Sequence, residues 1–314
     1  VDSNSIFGRD PGYSDYSGIE ADKFVGECTE FVAGLKASSI KTLSLKRTGM
    51  GPVALRTLAT SLPAAVARLS LSGNFITGSK EKRYVGSGDW EYDVDLSGLI
   101  MLCDALLTLK NPIELDLSNC GLSVNGVNPV AKAISAGAAL SSLTVDSNDI
   151  FGIFPRYLGD SSAKPDKFAG DCDAFLAALK ESNILTLSLQ KTGIGPLTLR
   201  KLATSLPAAI EKVNVSGCTT TPEAAAQLLT AANEASRARL RAHQVLAFSE
   251  ALHARLGSEC LLQAVALDTD VWRRVAENVR ERHGHELMCS QLAQAGQTWF
   301  EVTVEGLIAE GVPR

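Results

Sequence analysis

Residues 21–73 and 165–217 align without a gap at an offset of 144 and agree at 31 of 53 positions. DKFVGECTEFVAGLK answers DKFAGDCDAFLAALK, and LRTLATSLPAA answers LRKLATSLPAA. The opening VDSNSIFG returns at 145–152 as VDSNDIFG. A duplication on this scale constrains the fold more than composition does, since two copies of one apolar pattern must each bury a face against neighbours of their own kind.

A shorter phrase recurs inside each block. It reads LSLKRTGM (43–50), LSLSGNFI (69–76), LDLSNCGL (115–122), LTVDSNDI (143–150), LSLQKTGI (187–194) and VNVSGCTT (213–220), and VDSNSI is the tail of a seventh copy. Apolar and polar residues alternate at its start, which predicts a short strand with one face buried. Three residues beyond the second apolar position stand Asn4, Thr48, Asn74, Cys120, Asn148, Thr192 and Cys218. Small side chains at one recurring place, able to hydrogen-bond or pack, predict an internal ladder that satisfies the turning backbone. A helix signal follows. In GMGPVALRTLATSLP, Pro52 suits a first helical position, Leu55, Leu58 and Leu62 share a face, and Pro63 ends the run. GIGPLTLRKLATSLP repeats the arrangement.

These strand–turn–helix units, in phase over about residues 1–220, resemble the leucine-rich repeat of the ribonuclease-inhibitor-like class. The resemblance implies an α/β fold: a right-handed solenoid, or horseshoe, with parallel strands on the concave face, helices on the convex face, and other proteins as the usual partners. A solenoid needs its last repeat covered, so residues 221–314 are expected to form a helical C-terminal cap, with Thr221 and Pro222 opening its first helix; an interaction or dimerisation module is the alternative. Val1 stands where Val145 stands in the later copy, and the leading half of that strand, SSLT at 141–144, has no counterpart before it. The chain is therefore expected to be a piece of a longer repeat array.

Spacing between successive second apolar positions runs 44, 26, 46, 28, 44 and 26 residues. Long repeats alternate with short ones, and the extra length predicts three inserts near 8–22, 78–95 and 152–166 on one rim. All five tyrosines lie in them, Tyr13, Tyr16, Tyr84, Tyr92 and Tyr157, together with Trp90. In the middle insert Gly86-Ser87-Gly88 signals a turn, and Trp90, Tyr92 and Val94 alternate with acids, which predicts a β-hairpin with one aromatic and one acidic face. Two readings of these aromatics stand side by side. Either they pack on one another and the rim while Lys80, Lys82 and Arg83 pair with the acids, or they form a partner-binding edge. The alternating carboxylates match no loop that wraps calcium.

The strand face offers a second candidate surface. Alternation exposes Thr42, Ser44, Arg68, Ser70, Glu114, Asp116, Ser142, Thr144, Thr186, Ser188, Lys212 and Asn214 on it. Of these Arg68, Glu114, Asp116, Thr144, Lys212 and Asn214 are the candidate contacts. The row is mostly small and polar and has no aromatic anchor, which does not support ribonuclease inhibition.

Composition narrows the remaining classes. A net charge of −5 provides no cationic field for nucleic acid, and no run of about 18 apolar residues spans a membrane. Seven cysteines without a CxxC pair favour reduced thiols and a cytoplasmic location over a disulfide framework or zinc ribbon. His283, His285, Glu286 and Cys289 lack a second paired cluster to complete a metal site, and the four histidines fall within 243–285, leaving the repeats without an imidazole base. No catalytic residue, metal or cofactor is expected. The function expected is a non-catalytic protein–protein interaction scaffold or recognition domain. The alternatives are a regulator of an enzyme, such as a GTPase-activating protein similar to the repeat-built activator of the nuclear-transport GTPase, and an extracellular recognition domain.

Overall fold

A computed structural model of the chain describes residues 2–8, 21–81, 90–154, 163–217 and 224–234, without 225 and 229 and with only the backbone of Glu81 and Trp90. The chain divides into two compact units, 1–237 and 238–314, and the second lies outside the described residues. The described elements are α1 (Thr29–Lys36), β1 (Thr42–Ser44), α2 (Pro52–Ala59), β2 (Arg68–Ser70), β3 (Lys80–Glu81), β4 (Trp90–Glu91), α3 (Ser97–Thr108), β5 (Ile113–Asp116), α4 (Val124–Ser135), β6 (Leu140–Thr144), α5 (Asp173–Lys180), β7 (Thr186–Ser188), α6 (Pro196–Ala203) and β8 (Lys212–Asn214). Residues 224–234 are helical where described, and Ala224 and Leu228 are buried.

Six of the described strands form one parallel sheet in the order β1-β2-β5-β6-β7-β8. Successive repeat strands pair in chain order, and helices alternate with them, as a solenoid requires. Register is locked by the buried side. Leu43, Leu69, Leu115, Leu143, Leu187 and Val213 lie side by side across the sheet. Leu45, Leu71, Leu117, Val145 and Leu189 are 0 % exposed one step further along. A one-residue slip would turn all of these to solvent at roughly 1.5–3 kcal/mol each, so no other register competes. The same core continues under the helices from Phe7 to Leu228.

The ladder forms at Thr48, Asn74, Cys120, Asn148 and Thr192, all buried; Asn4 is exposed, and Cys218 lies outside the described residues. Asn74 Oδ1 accepts from the amides of Thr48 and Met50 at 2.9 and 3.1 Å, and its Nδ2 donates to the carbonyls of Leu45 and Leu71 at 2.7 and 2.8 Å. Asn148 does the same for the next pair of repeats, accepting from Cys120 and Leu122 at 3.0 Å each and donating to Leu117 and Val145 at 2.9 Å each. Thr48 and Thr192 instead return their hydroxyls to Leu45 and Leu189 in their own turns. Two turn types thus alternate. The threonine and cysteine turns continue into Gly49, Gly121 and Gly193, all with φ near +70°. At Gly49 and Gly193 a side chain would also collide with the backbone of Gly8 and Gly152, where each insert begins.

Local signals set the helices. Pro52 and Pro196 occupy the first turns of α2 and α6, and Leu55 and Leu58 are buried. α2 stops at Ala59, before Pro63, and Leu62 is half-buried.

A feature absent from the sequence reading ties the inserts down. Asp22 accepts from the amides of Gly51, Val53 and Ala54 at 2.7, 2.8 and 2.9 Å, bridging the start of α2. Asp166 makes the same three bonds to Gly195, Leu197 and Thr198 at 2.9, 2.8 and 3.0 Å. Asp93 accepts from Ser123 and Gly126 at the start of α4, at 3.1 and 2.7 Å. All three aspartates have positive φ, 66°, 60° and 53° in that order. Each insert therefore returns to the scaffold through a carboxylate placed at the positive end of the following short repeat's helix.

Candidate functional site

The polar rows on the outward side of the sheet follow from the register. Thr42, Arg68, Glu114, Ser142, Thr186 and Lys212 are transverse partners in one row; Ser44, Ser70, Asp116, Thr144, Ser188 and Asn214 form the next. The twelve residues expected on this face therefore stand in two straight lines. Ser70 and Ser188 are nearly buried between taller neighbours, whereas Arg68, Lys212 and Asn214 are exposed.

Charge concentrates in the centre of this face. Arg68 grips Glu114 with two bonds, Nε to Oε2 at 2.6 Å and Nη2 to Oε1 at 3.0 Å. Asp116 accepts from Ser70 Oγ at 2.6 Å and Ser118 Oγ at 2.6 Å, with the Lys46 ammonium 3.3 Å away. A shallow groove of about 410 Å³ runs over Ser44, Lys46, Arg68, Ser70, Glu114 and Asp116. The Arg68 guanidinium holds the Glu114 carboxyl below its ordinary value. Burial pushes Asp116 upward, but the hydroxyls of Ser118 and Ser70, the Ser118 amide and the Lys46 charge outweigh it and leave its pKa lowered. Both carboxylates are thus ionised acceptors at neutral pH, each already turned toward a cation.

A third row, Asp2, Lys46, Ser72, Ser118, Asp146, Gln190 and Ser216, completes the surface and was not among the candidates. Asp2 accepts from Ser44 Oγ at 2.6 Å and from the Lys46 amide at 3.0 Å, and Asp146 accepts from the Gln190 amide at 2.7 Å. Carrying the period-2 pattern one step past the second leucine would have found it. Thr144 stands beside Asp116 in the second row and lines the groove, whereas Asn214 lies two strands further along it and accepts from Ser216 at 2.7 Å.

The rim candidates are scattered across the described boundary. Tyr13, Tyr16, Tyr84 and Tyr157 lie outside the described residues, as do Lys82 and Arg83. In the middle insert β3 and β4 pair antiparallel, with Lys80 opposite Glu91 and an ion pair of 3.6 Å between them; Gly86-Ser87-Gly88 lie outside the described residues. Its second strand ends at Glu91, earlier than the alternation to Val94 predicts, because Asp93 turns to positive φ to reach α4. One acidic face therefore does not form: Glu91 meets Lys80, Asp93 meets Ser123 and Gly126, and Asp95 accepts from the Ser97 amide at 2.8 Å. Tyr92 is half-buried and donates its hydroxyl to Asp149 at 2.5 Å, joining the middle insert to the root of the third.

The four described cysteines, Cys28, Cys103, Cys120 and Cys172, are free thiols. Burial pushes Cys103, Cys120 and Cys172 up to about 12, so they are packed as neutral groups. Among the described residues no helix is long and apolar enough to cross a membrane. The tract containing His283, His285, Glu286 and Cys289 lies outside them. No protein-family model and no curated protein matches the chain.

Proposed function

We propose that this chain is a leucine-rich-repeat protein of the ribonuclease-inhibitor-like class, acting in the cytoplasm as a non-catalytic scaffold that captures another protein. On this reading the parallel sheet is the concave face of a right-handed horseshoe, and residues 221–314 cover its end. The observation that carries the proposal is the register-locked polar surface: six successive repeats place two rows of hydroxyl, carboxylate and cationic side chains on the side of the sheet opposite the buried leucines. A partner meets that surface as one preorganised plane, which limits the side-chain entropy lost on binding.

The central charges are the sensitive place. Arg68 and Glu114 satisfy each other in the free protein, so a partner offering its own carboxylate and cation exchanges these pairs while losing little desolvation energy. Affinity capture with the parent chain, an Arg68→Ala/Glu114→Ala variant and a Trp90→Ala/Tyr92→Ala variant tests this, followed by titration of the recovered partner. The sheet-face variant is expected to weaken binding about tenfold, or 1.4 kcal/mol, with unchanged thermal unfolding. Full recovery by that variant with loss in the rim variant moves the site to the inserts; equal recovery by both rejects these two surfaces.

A further inference from the structure

Charge on the outward side of the sheet is banded along the direction in which the repeats stack. Lys46, two residues beyond β1, and Arg68 on β2 are cations; Glu114 and Asp116 on β5 and Asp146, two residues beyond β6, are acids; Lys212 on β8 is a cation. The two central ion pairs point the same way. Arg68 meets Glu114 at 2.6 Å and Lys46 meets Asp116 at 3.3 Å, each with its cation toward the β1 side and its acid toward β6. Beyond them the order reverses. Asp146 accepts from the Gln190 amide, and among the described residues no ion pair joins Asp146 or Lys212 to another charge. The duplication shows why: Lys46, which serves Asp116, has Gln190 as its counterpart. Asp2, on the outer side of β1, is already bound to Ser44 and the Lys46 amide.

We infer that, on the reading that this face captures a protein, the captured element is one α-helix lying across the strands, with a cation at its centre and an acid about two turns away on either side. Backbone chemistry selects a helix. The inner strands already spend their amides and carbonyls on one another, and the ladder runs on past their ends, where Asn119 donates to Asp146 at 2.8 Å and Ser147 to Gln190 at 2.7 Å. An extended segment laid across them would find no partners for its backbone, whereas a helix satisfies its own internally. Dimensions agree. Three rows of alternate residues are about 13 Å wide, against roughly 10–12 Å for a helix with its side chains. Six strands at ~4.8 Å span about 24 Å, or about 16 helical residues. The cationic strands, the acidic strands and β8 stand roughly 10 and 12 Å apart, or about seven to eight residues of helix, a spacing that returns each side chain to one face. Ser142, Thr144, Thr186 and Ser188 are short, so the helix settles between the acids and Lys212. Its central cation meets Glu114, Asp116 and Asp146; its acids meet Lys46 and Arg68 on one side and Lys212 on the other.

The test pans the full chain against a phage-displayed library in which a helix of about 16 residues, held in a helical hairpin, has one face randomised. Selected clones are expected to carry Asp or Glu, then Lys or Arg about seven or eight residues on, then Asp or Glu after the same interval. Each selected hairpin is then titrated against the parent and its variants. Lys212→Glu is expected to raise Kd about tenfold, and reversing the hairpin acid opposite it to Lys is expected to restore binding. Asp146→Lys, with the central cation reversed to Glu, repeats the exchange; Lys212 is exposed, so its variant keeps the test open should loss of the Gln190 bond unfold the other. Clones that lose affinity for Arg68→Ala/Glu114→Ala but lack this charge order, or are not restored by reversal, overturn the inference and leave the sheet face as the site. Clones that bind that variant as tightly as the parent overturn both. A library that yields no clone overturns the helix.

Discussion

Gly51 donates its amide to Asp22 Oδ1 at 2.7 Å although 29 residues separate them, so the end of an insert fixes the beginning of the next repeat's helix. Asp166 and Asp93 repeat the device at α6 and α4. The inserts are therefore fastened at their exits and act as structural parts of the scaffold there.

Removing one of these carboxylates should loosen both insert and helix. Asp166→Ala takes away three acceptor bonds at a helix start and is expected to cost about 2 kcal/mol or more. Asp166→Asn keeps one oxygen and the tolerance of positive φ, and should fall between parent and alanine. Urea midpoints of the three proteins check the order.

The asparagine ladder carries its own comparison. Asn148 is buried and holds two amides and two carbonyls of adjacent turns, whereas Asn4 is exposed. Asn148→Ala strands those groups without water and is expected to cost roughly 3–5 kcal/mol; Asn4→Ala should stay within about 0.5 kcal/mol. Equal effects in denaturant unfolding would contradict the ladder as a source of stability.

Acid sensitivity should involve Asp116. Its folded pKa is lowered below the ordinary 3.8, so its stabilisation is present above that value and is lost as pH falls through the depressed one. The stability gap between parent and Asp116→Asn is expected to be constant from about pH 7 to pH 5 and to close on further acidification. Denaturant midpoints measured across that range give the curve.

Thiol reactivity should divide the described cysteines. Cys103, Cys120 and Cys172, raised to about 12 by burial, are expected to resist iodoacetamide at pH 8 until unfolding. Cys28, half-buried, should be modified first among the four, with peptide mass spectrometry identifying the site.

The strands and ladder were legible because their signals are periodic and local. Leu43, Leu45 and Thr48 announce a strand and its turn within six residues, and the alternation that buries the leucines also orders the outward rows. The alternation around Trp90 pointed to an antiparallel pairing in the middle insert, although Gly86-Ser87-Gly88 lie outside the described residues; the extent of the strand was not legible, since Asp93 obeys a partner 33 residues away at Gly126 and not its neighbours. An aspartate at the end of an insert looks in sequence like any solvated acid. Its role appears only when stacking brings the next helix beneath it. The central pairs, Arg68 with Glu114 and Lys46 with Asp116, were hidden for the same reason: both join residues of different repeats, and only register puts them side by side.

The alternation of turn types sets the step by which such an array can change length. Asn74 and Asn148 each serve the glycine-bearing turn before them, so the unit of the array is a pair of repeats, 70 or 74 residues from one asparagine to the next. Loss or gain of a single repeat would put two glycine turns in succession, one without its bridging amide, or two asparagines with one turn to share. Growth in even numbers preserves the alternation, and the 144-residue duplication is such a step, carrying two pairs at once. In the second copy Cys218 stands where Asn74 stands in the first, a place at which a thiol lacks the amide's paired acceptor and donor.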